Sequence, residues 1–519
     1  MPLSNSTSKT KKMSKCKTPS FVCEIPLCVT QKQEQTINAR LEAGRQFYNA
    51  LLGEAMRRLN LMRESKDYQT AKKLPKGKTR SDLFQALRIE YGFTEYDLSR
   101  FSTITRQSWI GEHVGAHVGQ KLVTRAYEAV AKVAYGKAKK VRFKGKRGLH
   151  SIEGKNNEAN LFWRGDHIVW SGLELPMVNG SSRDPVIQHG LSSRIKYVRL
   201  VKKEVRGKNR YYAQLICEGQ PAIKTNEDGE RIHLIGSESV GLDIGPSTIA
   251  IVSDTKAELE LFGEAVVRDH RHIRKLQRKQ DRQRRANNPD CFDEKGRAIK
   301  GKHPTKKSRH QLETEAALRE LYRRETAHRK TLHGQLANEV IAVGAIIKTE
   351  KLSYKAFQKL YGRSISVRAP KLFLSILTRK AESAGGGVEE FSTYHTALSQ
   401  VCICGQKHKK RLSERVHACD CGVVMQRDLF SAYLAKHVNE ERLQAADAYE
   451  HWQGAELLLR MAWQQANNQP ASGRPVSSSF GTYRSQSGSS EKESLPEHEA
   501  QDVVAVAKVI VRARESAMV

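Results

Sequence analysis

No apolar run in the 519-residue chain approaches the roughly 20 residues that a membrane-spanning helix requires. The start, MPLSNSTSKTKKMSKCKTPS, is basic and rich in Ser and Thr, and no hydrophobic core of signal-peptide length follows it. Cysteine is sparse outside one cluster: Cys16, Cys23, Cys28, Cys217 and Cys291 are scattered, and the total of nine is odd. That usage sets aside a disulfide framework. There is no internal repeat, which sets aside stacked-repeat architectures. Acidic residues are also short, 56 Asp plus Glu against 89 Lys plus Arg, for a formal charge of +33. Such a chain repels itself unless it meets a polyanion. The length allows two to four domains with real cores. The expectation is a cytoplasmic, nucleoid-associated protein with no membrane contact.

Along the chain the pattern changes character several times. Residues 1–19 read as a basic tail and FVCEIPLCVT (21–30) as a short strand. From about Glu34 to Lys140 the spacing is helical, with Leu41, Phe47, Leu51 and Leu52 on one face. KLPKGKTRSD interrupts that run. Residues 141 to about 235 alternate apolar and polar around turns, as in IKYVRLVKKEV-RGKN-RYYAQLICEG, and predict β-hairpins. SVGLDIGPSTIAIVSD predicts two buried strands around a Gly-Pro turn, and VGAIIKTEKLS a third. Residues 265–344 are mostly helical and strongly basic: 268–285 holds nine Lys or Arg against two Asp. The later part of that region has a narrow apolar stripe at Leu318, Leu321, Leu332, Leu336 and Val340. Helices are expected around Leu372 to Ala384, from Asp428, and over 444–466, with low-complexity sequence at 467–494. VVAVAKVIVRA, near the end, predicts a short element.

Three carboxylates stand where a strand or helix end would fix them. Asp243 lies inside SVGLDIGPS, Glu350 closes VGAIIKTE and Asp428 begins RDLFSAYLAKHV. Acidic groups are seldom buried without a partner, so apolar strands that deliver them need a cation. Hard oxygen ligands suit Mg²⁺, with Mn²⁺ as a substitute. Two such ions, roughly 4 Å apart, can activate water and stabilise a leaving 3′ oxygen in phosphodiester hydrolysis. Gly245 would admit a phosphate backbone close to the strand. Taken singly, each residue has a plainer role: helix cap for Asp428, ion-pair partner for Glu350, turn residue for Asp243. The chemistry rests on all three together.

Cys402-Ile-Cys404-Gly and Cys419-Asp-Cys421-Gly are near-identical hooks separated by fourteen residues. Four thiolates suit one structural, tetrahedral Zn²⁺. Each hook is one residue shorter than the usual Cys-x-x-Cys, which leaves His408 and His417 as alternative ligands. The polar segment between them, GQKHKKRLSERVHA, cannot bury enough apolar surface to order itself. A metal can supply that folding energy and fix the loop leading to Asp428.

In this order, an Asp in G-L-D-I-G, a Glu after a strand, and a four-Cys ribbon running into an R-D-x-x-x-A helix, the chain resembles the TnpB transposon nucleases and their type V CRISPR relatives. The resemblance is specific over about 240–440 and architectural upstream. It implies a multidomain α/β and α+β protein. An RNase H-like, RuvC-like nuclease domain would occupy 236–395 and 426–442, with a zinc ribbon at 396–425. A β-rich wedge domain would be built from 20–33 and 141–235, a helical recognition lobe from 34–140, and a helical and low-complexity tail from 443–519. By position, Asp243, Glu350 and Asp428 would be the catalytic metal-binding triad, and Cys402, Cys404, Cys419 and Cys421 the zinc ligands. The implied activity is RNA-guided DNA endonuclease, with guide RNA and double-stranded DNA as partners held largely by their backbones. The alternatives are a type V CRISPR effector, a non-cleaving RNA-guided repressor or zinc-ribbon transcription factor, and a DD(E/D) transposase. Candidate nucleic-acid contacts are Arg271, Arg274, Lys275 and Arg278. Trp163, Trp170, Tyr211 and Tyr212 could stack on bases or pack a core. The sequence departs from the family's D-R-D-x-N-A-A at Gln426 and Phe430, both expected beside the site.

Overall fold

The computed structural model describes residues 18–226, 228–266, 268–411, 413–468 and 480–481. The expected basic tail up to residue 17, most of the low-complexity stretch and the VVAVAKVIVRA element lie outside the described residues. No helix among those described is long and apolar enough to cross a membrane.

In the strand Ser20–Leu27, inward residues alternate with exposed ones: Phe21, Cys23, Ile25 and Leu27 are buried. It pairs antiparallel with Lys208–Glu218, which continues through Ile195–Val205 to Ser151–Glu153 in a four-stranded sheet. The chain therefore leaves this sheet after one strand and returns to it more than a hundred residues later. The excursion starts at a capping box: Gln33 N–H donates to Thr30 Oγ1 at 3.3 Å, and Thr30 N–H to Gln33 Oε1 at 2.9 Å. This cap opens the 34-residue helix Gln31–Glu64. Its buried face, Ile37 through Leu59, meets Val118, Leu122, Ala126 and Val130 of the helix Ala116–Ala134. The expected interruption falls between the helices Lys66–Lys73 and Lys78–Glu90. One apolar cluster runs unbroken from these helices into the sheet. Trp163, Trp170 and Tyr211 belong to that cluster, so these three are packing residues; Tyr212 is half-buried under Lys203 Nζ, 4.3 Å from its ring.

The second half is organised by a five-stranded sheet. Its order is Ala257–Leu261, Thr248–Val252, Ser239–Ile244, Ile346–Glu350, Gly387–Phe391. In order of appearance this is 3-2-1-4-5: the first three strands form an antiparallel meander, and the fourth and fifth run parallel to the first. All five residues of Thr248–Val252 are buried, as expected of a strand covered on both faces. One face carries the helices Arg309–Val343 and Pro370–Ala384, through Ala337, Val340, Phe373 and Leu377 against Val240, Leu242 and Ile244. The opposite face carries Arg427–Lys436 and Trp452–Asn468.

Three sequence expectations need correction. The helix Arg309–Val343 buries only the end of the stripe expected of it, at Val340 with Leu336 packed beside it. Leu318, Leu321 and Leu332 are only half-buried, while Gln311, Thr314, Arg329 and His333 are buried. Its first half packs on the basic helix His270–Asn287 through polar pairs. Asn287 Nδ2 donates to Gln311 Oε1 at 2.9 Å, and Arg268 Nη2 meets Glu325 at 2.6 Å. The helix Tyr354–Arg368, which the sequence reading left out, precedes Pro370, the first residue of the next helix. Finally, the stretch from 445 to 468 is not a trailing tail. Trp452, Leu459 and Trp463 are buried in the core beneath the five-stranded sheet, and Trp463 Nε1 donates to the Phe480 carbonyl at 3.1 Å.

Removing a buried tryptophan from that core leaves a cavity the fold cannot fully close. Trp463→Ala is expected to lower the unfolding free energy of the purified chain by about 3–5 kcal/mol in denaturant titration. A change below about 0.5 kcal/mol, typical of a surface site, would contradict a core role.

Candidate active site and cysteine cluster

The G-L-D-I-G strand is laid out by a period of two. Val240, Leu242 and Ile244 face the Arg309–Val343 side, which leaves Gly241 and Asp243 on the face toward the Arg427–Lys436 helix. Gly241 has no room for a side chain: a Cβ there would sit 1.8 Å from the Ala432 carbonyl oxygen and 2.8 Å from Lys436 N. The helix backbone therefore rests directly on the strand. Ala432 is four residues after Asp428, on the same helix face, so this crossing delivers Asp428 to the neighbourhood of Asp243. The far end of the helix is held by Lys348 Nζ, which donates to the Val438 carbonyl at 2.8 Å.

Asp243, Glu350 and Asp428 line one cavity of ≈ 210 Å³, together with Gly245, Pro246, Tyr361, Lys410, Arg415 and Arg427 among others. Asp428 is buried, and Thr248 Oγ1 donates to its Oδ2 at 2.8 Å. Arg427 approaches its Oδ1 at 3.2 Å, and Arg415 its Oδ2 at 3.8 Å. Glu350 Oε1 accepts from Leu398 N–H at 3.4 Å and Thr396 Oγ1 at 3.3 Å. Burial pushes the Glu350 carboxyl up, and those two hydrogen bonds pull against it. Asp243 is raised well above the ordinary carboxylate range, first by burial and then by the negative charges of Asp428 and Glu350; Arg427 and Arg415 act in the opposite direction. Among the described residues, groups of ligands close enough to share a single ion form at the four cysteines and at His437, Asp447 and His451, but not at these three carboxylates. Their oxygens line a wider space. An all-oxygen donor set with a cation demand at its centre fits Mg²⁺ or Mn²⁺.

The cysteines come together. Cys402 Sγ lies 3.5 Å from Cys421 Sγ, and Cys404 Sγ lies 3.5 Å from Cys419 Sγ. All four sulfurs fall within 4.8 Å of one another. Four Zn–S bonds near 2.3 Å at tetrahedral angles put sulfurs about 3.8 Å apart, so the set fits Zn²⁺. Both short hooks close in the same way. Gly405 N–H reaches the Cys402 carbonyl and Gly422 N–H the Cys419 carbonyl, each at 3.0 Å. The two glycines have φ of 83° and 94°, a region costly for other residues. His408 Nε2 stands 3.1 Å from Cys419 Sγ, beside the four sulfurs. His417 is turned away: it bonds Lys410 Nζ and packs on Phe430 with ring centroids 4.4 Å apart.

The module also builds the cavity wall. Lys410 and Arg415 come from its inter-hook segment, and Arg427 Nη1 ties back to it by donating to the Glu414 carbonyl at 2.9 Å. Gln426 takes the cap position, accepting from Leu429 N–H at 2.7 Å, so Asp428 is not the cap and its oxygens face the cavity. Phe430 is not beside the site. It is buried against Trp452, with ring centroids 5.4 Å apart, on the face that the C-terminal helices cover. Gly245 does line the cavity, but a Cβ there would come 3.0 Å from Thr248 Oγ1, the hydroxyl that holds Asp428. Arg271, Arg274, Lys275 and Arg278 are exposed on the helix His270–Asn287 and do not line this cavity. Thr248, Lys410 and Arg415 were missed in the sequence, since nothing in their spacing marks them; Gly241 was the available signal for the strand–helix crossing.

Residues 371–434 match the family described as Cas12f1-like, TNB domain. That stretch runs from the helix Pro370–Ala384 through both cysteine hooks to Asp428. No curated protein matches the chain. Among solved structures, the chain is similar to the protein of a Cas12f1–sgRNA–target DNA complex at 12% identity and a TM-score of 0.38, covering 80% of this chain and 98% of that one. A CRISPR–Cas12f ternary complex gives 11% identity and a TM-score of 0.26, covering 80% and 83%. At such scores the overlays carry no argument; the relationship rests on 371–434.

Two outcomes follow from this geometry. Gly241→Ala is expected to cost about 1–3 kcal/mol in denaturant unfolding, because the helix must move off the strand; an unchanged midpoint would contradict the close crossing. The second concerns pH. An acid raised in the folded state holds its proton more tightly there than in the unfolded chain, so ionising it costs stability. Without divalent ions, stability is expected to fall as pH rises from about 4 through the raised Asp243 value. Millimolar Mg²⁺ should flatten that slope, and Asp243→Asn should lose it. An identical slope in all three conditions would contradict the assignment.

Proposed function

We propose that this chain, a relative of the TnpB-like nucleases and type V effectors, is an RNA-guided DNA endonuclease with a two-metal RuvC-like site. The observation that carries the reading is the single cavity lined by Asp243, Glu350 and Asp428. The 3-2-1-4-5 sheet supports an RNase H-like domain, with the first carboxylate inside strand one, the second ending strand four, and the third on a helix crossing strand one. The charge of +33 suits a heteroduplex gripped through its phosphates rather than read base by base.

Asp243, Glu350 and Asp428 would hold a pair of Mg²⁺ ions, which supply an activated water and charge stabilisation at the leaving oxygen. The chain's own residues do the positioning. Thr248 fixes the Asp428 carboxylate, and Thr396 with Leu398 N–H fixes Glu350. Arg415 and Arg427 face Asp428 and line the cavity a scissile phosphate would enter, so they neutralise either partner. Lys410 adds a third cation to that wall. The cysteine module, with Zn²⁺ bound, orders the segment that presents Lys410 and Arg415 and leads into Asp428. Arg271, Arg274, Lys275 and Arg278 form an exposed basic row for the nucleic-acid backbone. The transposon setting and the CRISPR setting share this chemistry.

The test is cleavage of duplex DNA matching the RNA that co-purifies with the protein. Cutting is expected only with Mg²⁺ or Mn²⁺, and Asp243→Ala, Glu350→Ala or Asp428→Ala should each lower the rate at least about 10³-fold. Guide-dependent binding without cutting would favour the repressor reading. Cutting that persists in all three variants would overturn the site.

A further inference from the structure

We propose that His437, Asp447 and His451 form a second transition-metal site, distinct from the four cysteines, which clamps the C-terminal helices to the helix that carries Asp428. One ligand atom from each residue lies within 4.8 Å of the others. His437 Nδ1 is 2.5 Å from Asp447 Oδ2, and His451 Nδ1 is 3.3 Å from Asp447 Oδ1. Two imidazole nitrogens therefore converge on one carboxylate. Two His and one carboxylate, with a fourth position left to water, is a donor set that Zn²⁺ accepts.

The fold brings the three together deliberately. His437 ends the helix Arg427–Lys436 and is buried. A tight hairpin, Val438–Asn439 against Arg442–Leu443, turns the chain back on itself. Its two turn residues, Glu440 and Glu441, have φ of 46° and 60°, a conformation that glutamate adopts at a cost. After the turn, Gln444 N–H donates to the His437 carbonyl at 2.9 Å. Asp447 and His451 then follow four residues apart on one helical turn, the spacing that points two ligands the same way. Asp447 and His451 are about half exposed while His437 is enclosed, so an ion can enter from solvent and keep a water.

The competing state is a His–Asp–His hydrogen-bonded bridge with no ion. There, Nδ1 of His437 donates to Asp447, and Nδ1 of His451 donates to the Asp447 backbone carbonyl at 2.9 Å. Metal binding moves each ring proton from Nδ1 to Nε2, frees both Nδ1 lone pairs and leaves the carboxylate ionised. His437 Nε2 has no hydrogen-bond partner in the metal-free state. The proton that metal binding moves there lands on an atom already without a partner, a cost that the metal–ligand bonds offset.

The experiment uses the full, untagged chain. Zinc content after exhaustive dialysis is expected to be about two ions per chain, falling to about one in His451→Gln and in Asp447→Asn. Co²⁺ titrated into the metal-free wild-type chain reads the ligands without any substitution. Expected are a thiolate set with sulfur-to-metal charge transfer and a second set with visible bands alone. One zinc per chain in wild type and both variants, with all Co²⁺ absorption of the thiolate kind, would overturn the proposal.

Discussion

The approach of the Arg427–Lys436 backbone to Gly241 is the constraint on which the second half of the chain depends. A Cβ at that strand position would overlap the Ala432 carbonyl, so only glycine lets the helix lie so close. From that crossing follows the position of Asp428 beside Asp243. The depth of the cavity follows too, and so does the arrival of Arg415 and Arg427 at its wall. Three carboxylates and three cationic side chains then share a small, partly dry space. The Asp243 carboxyl is raised first by burial and then by Asp428 and Glu350, against the pull of the two arginines. A divalent pair would complete that balance.

The cysteine cluster makes sense as part of the same construction. It buries Cys402, Ile403, Cys419 and Val423 in the core, sits between the second and third carboxylates and supplies Lys410 and Arg415 to the cavity. The inter-hook segment is held by the pairing of Val416–Ala418 with Val424–Gln426, by Arg427 on the Glu414 and Arg415 carbonyls, and by His417 packed on Phe430. Folding energy from a metal at the sulfurs would then be coupled to the electrostatics of the candidate active site. On the far side of the same helix, Phe430, Tyr433 and Trp452 join it to the C-terminal helices. One helix is thus fixed from the strand, from the cysteine module and from the helix Trp452–Asn468.

Much of this was readable in the sequence, because strong local signals coincide with it. G-L-D-I-G, the strand ending in Glu350 and the paired Cys-x-Cys-Gly hooks each set a chemistry-bearing residue type at a fixed place in a strand or turn, and it is their combination and order that signals the site. What escaped was what pairs polar residues inside. Arg329, Glu325 and Arg268 bury one another between two helices, and a search for apolar periodicity slides past them to Leu318 and Leu321. The helix Tyr354–Arg368 escaped for a related reason: Gly362, Ser364 and Ser366 dilute its pattern, although it lines the cavity with Phe357 and Tyr361. Phe430 misled because its position was judged by family pattern, whereas its rotation about the helix, toward Trp452, decides its role.

The central claim is that Asp243, Glu350 and Asp428 jointly hold divalent cations. Anomalous scattering from crystals of the chain grown with Mn²⁺ tests it most directly. The account predicts two manganese peaks in the cavity, about 4 Å apart, with Asp243 between them. No peak there, or a single ion held by Asp428 without the other two carboxylates, would contradict it.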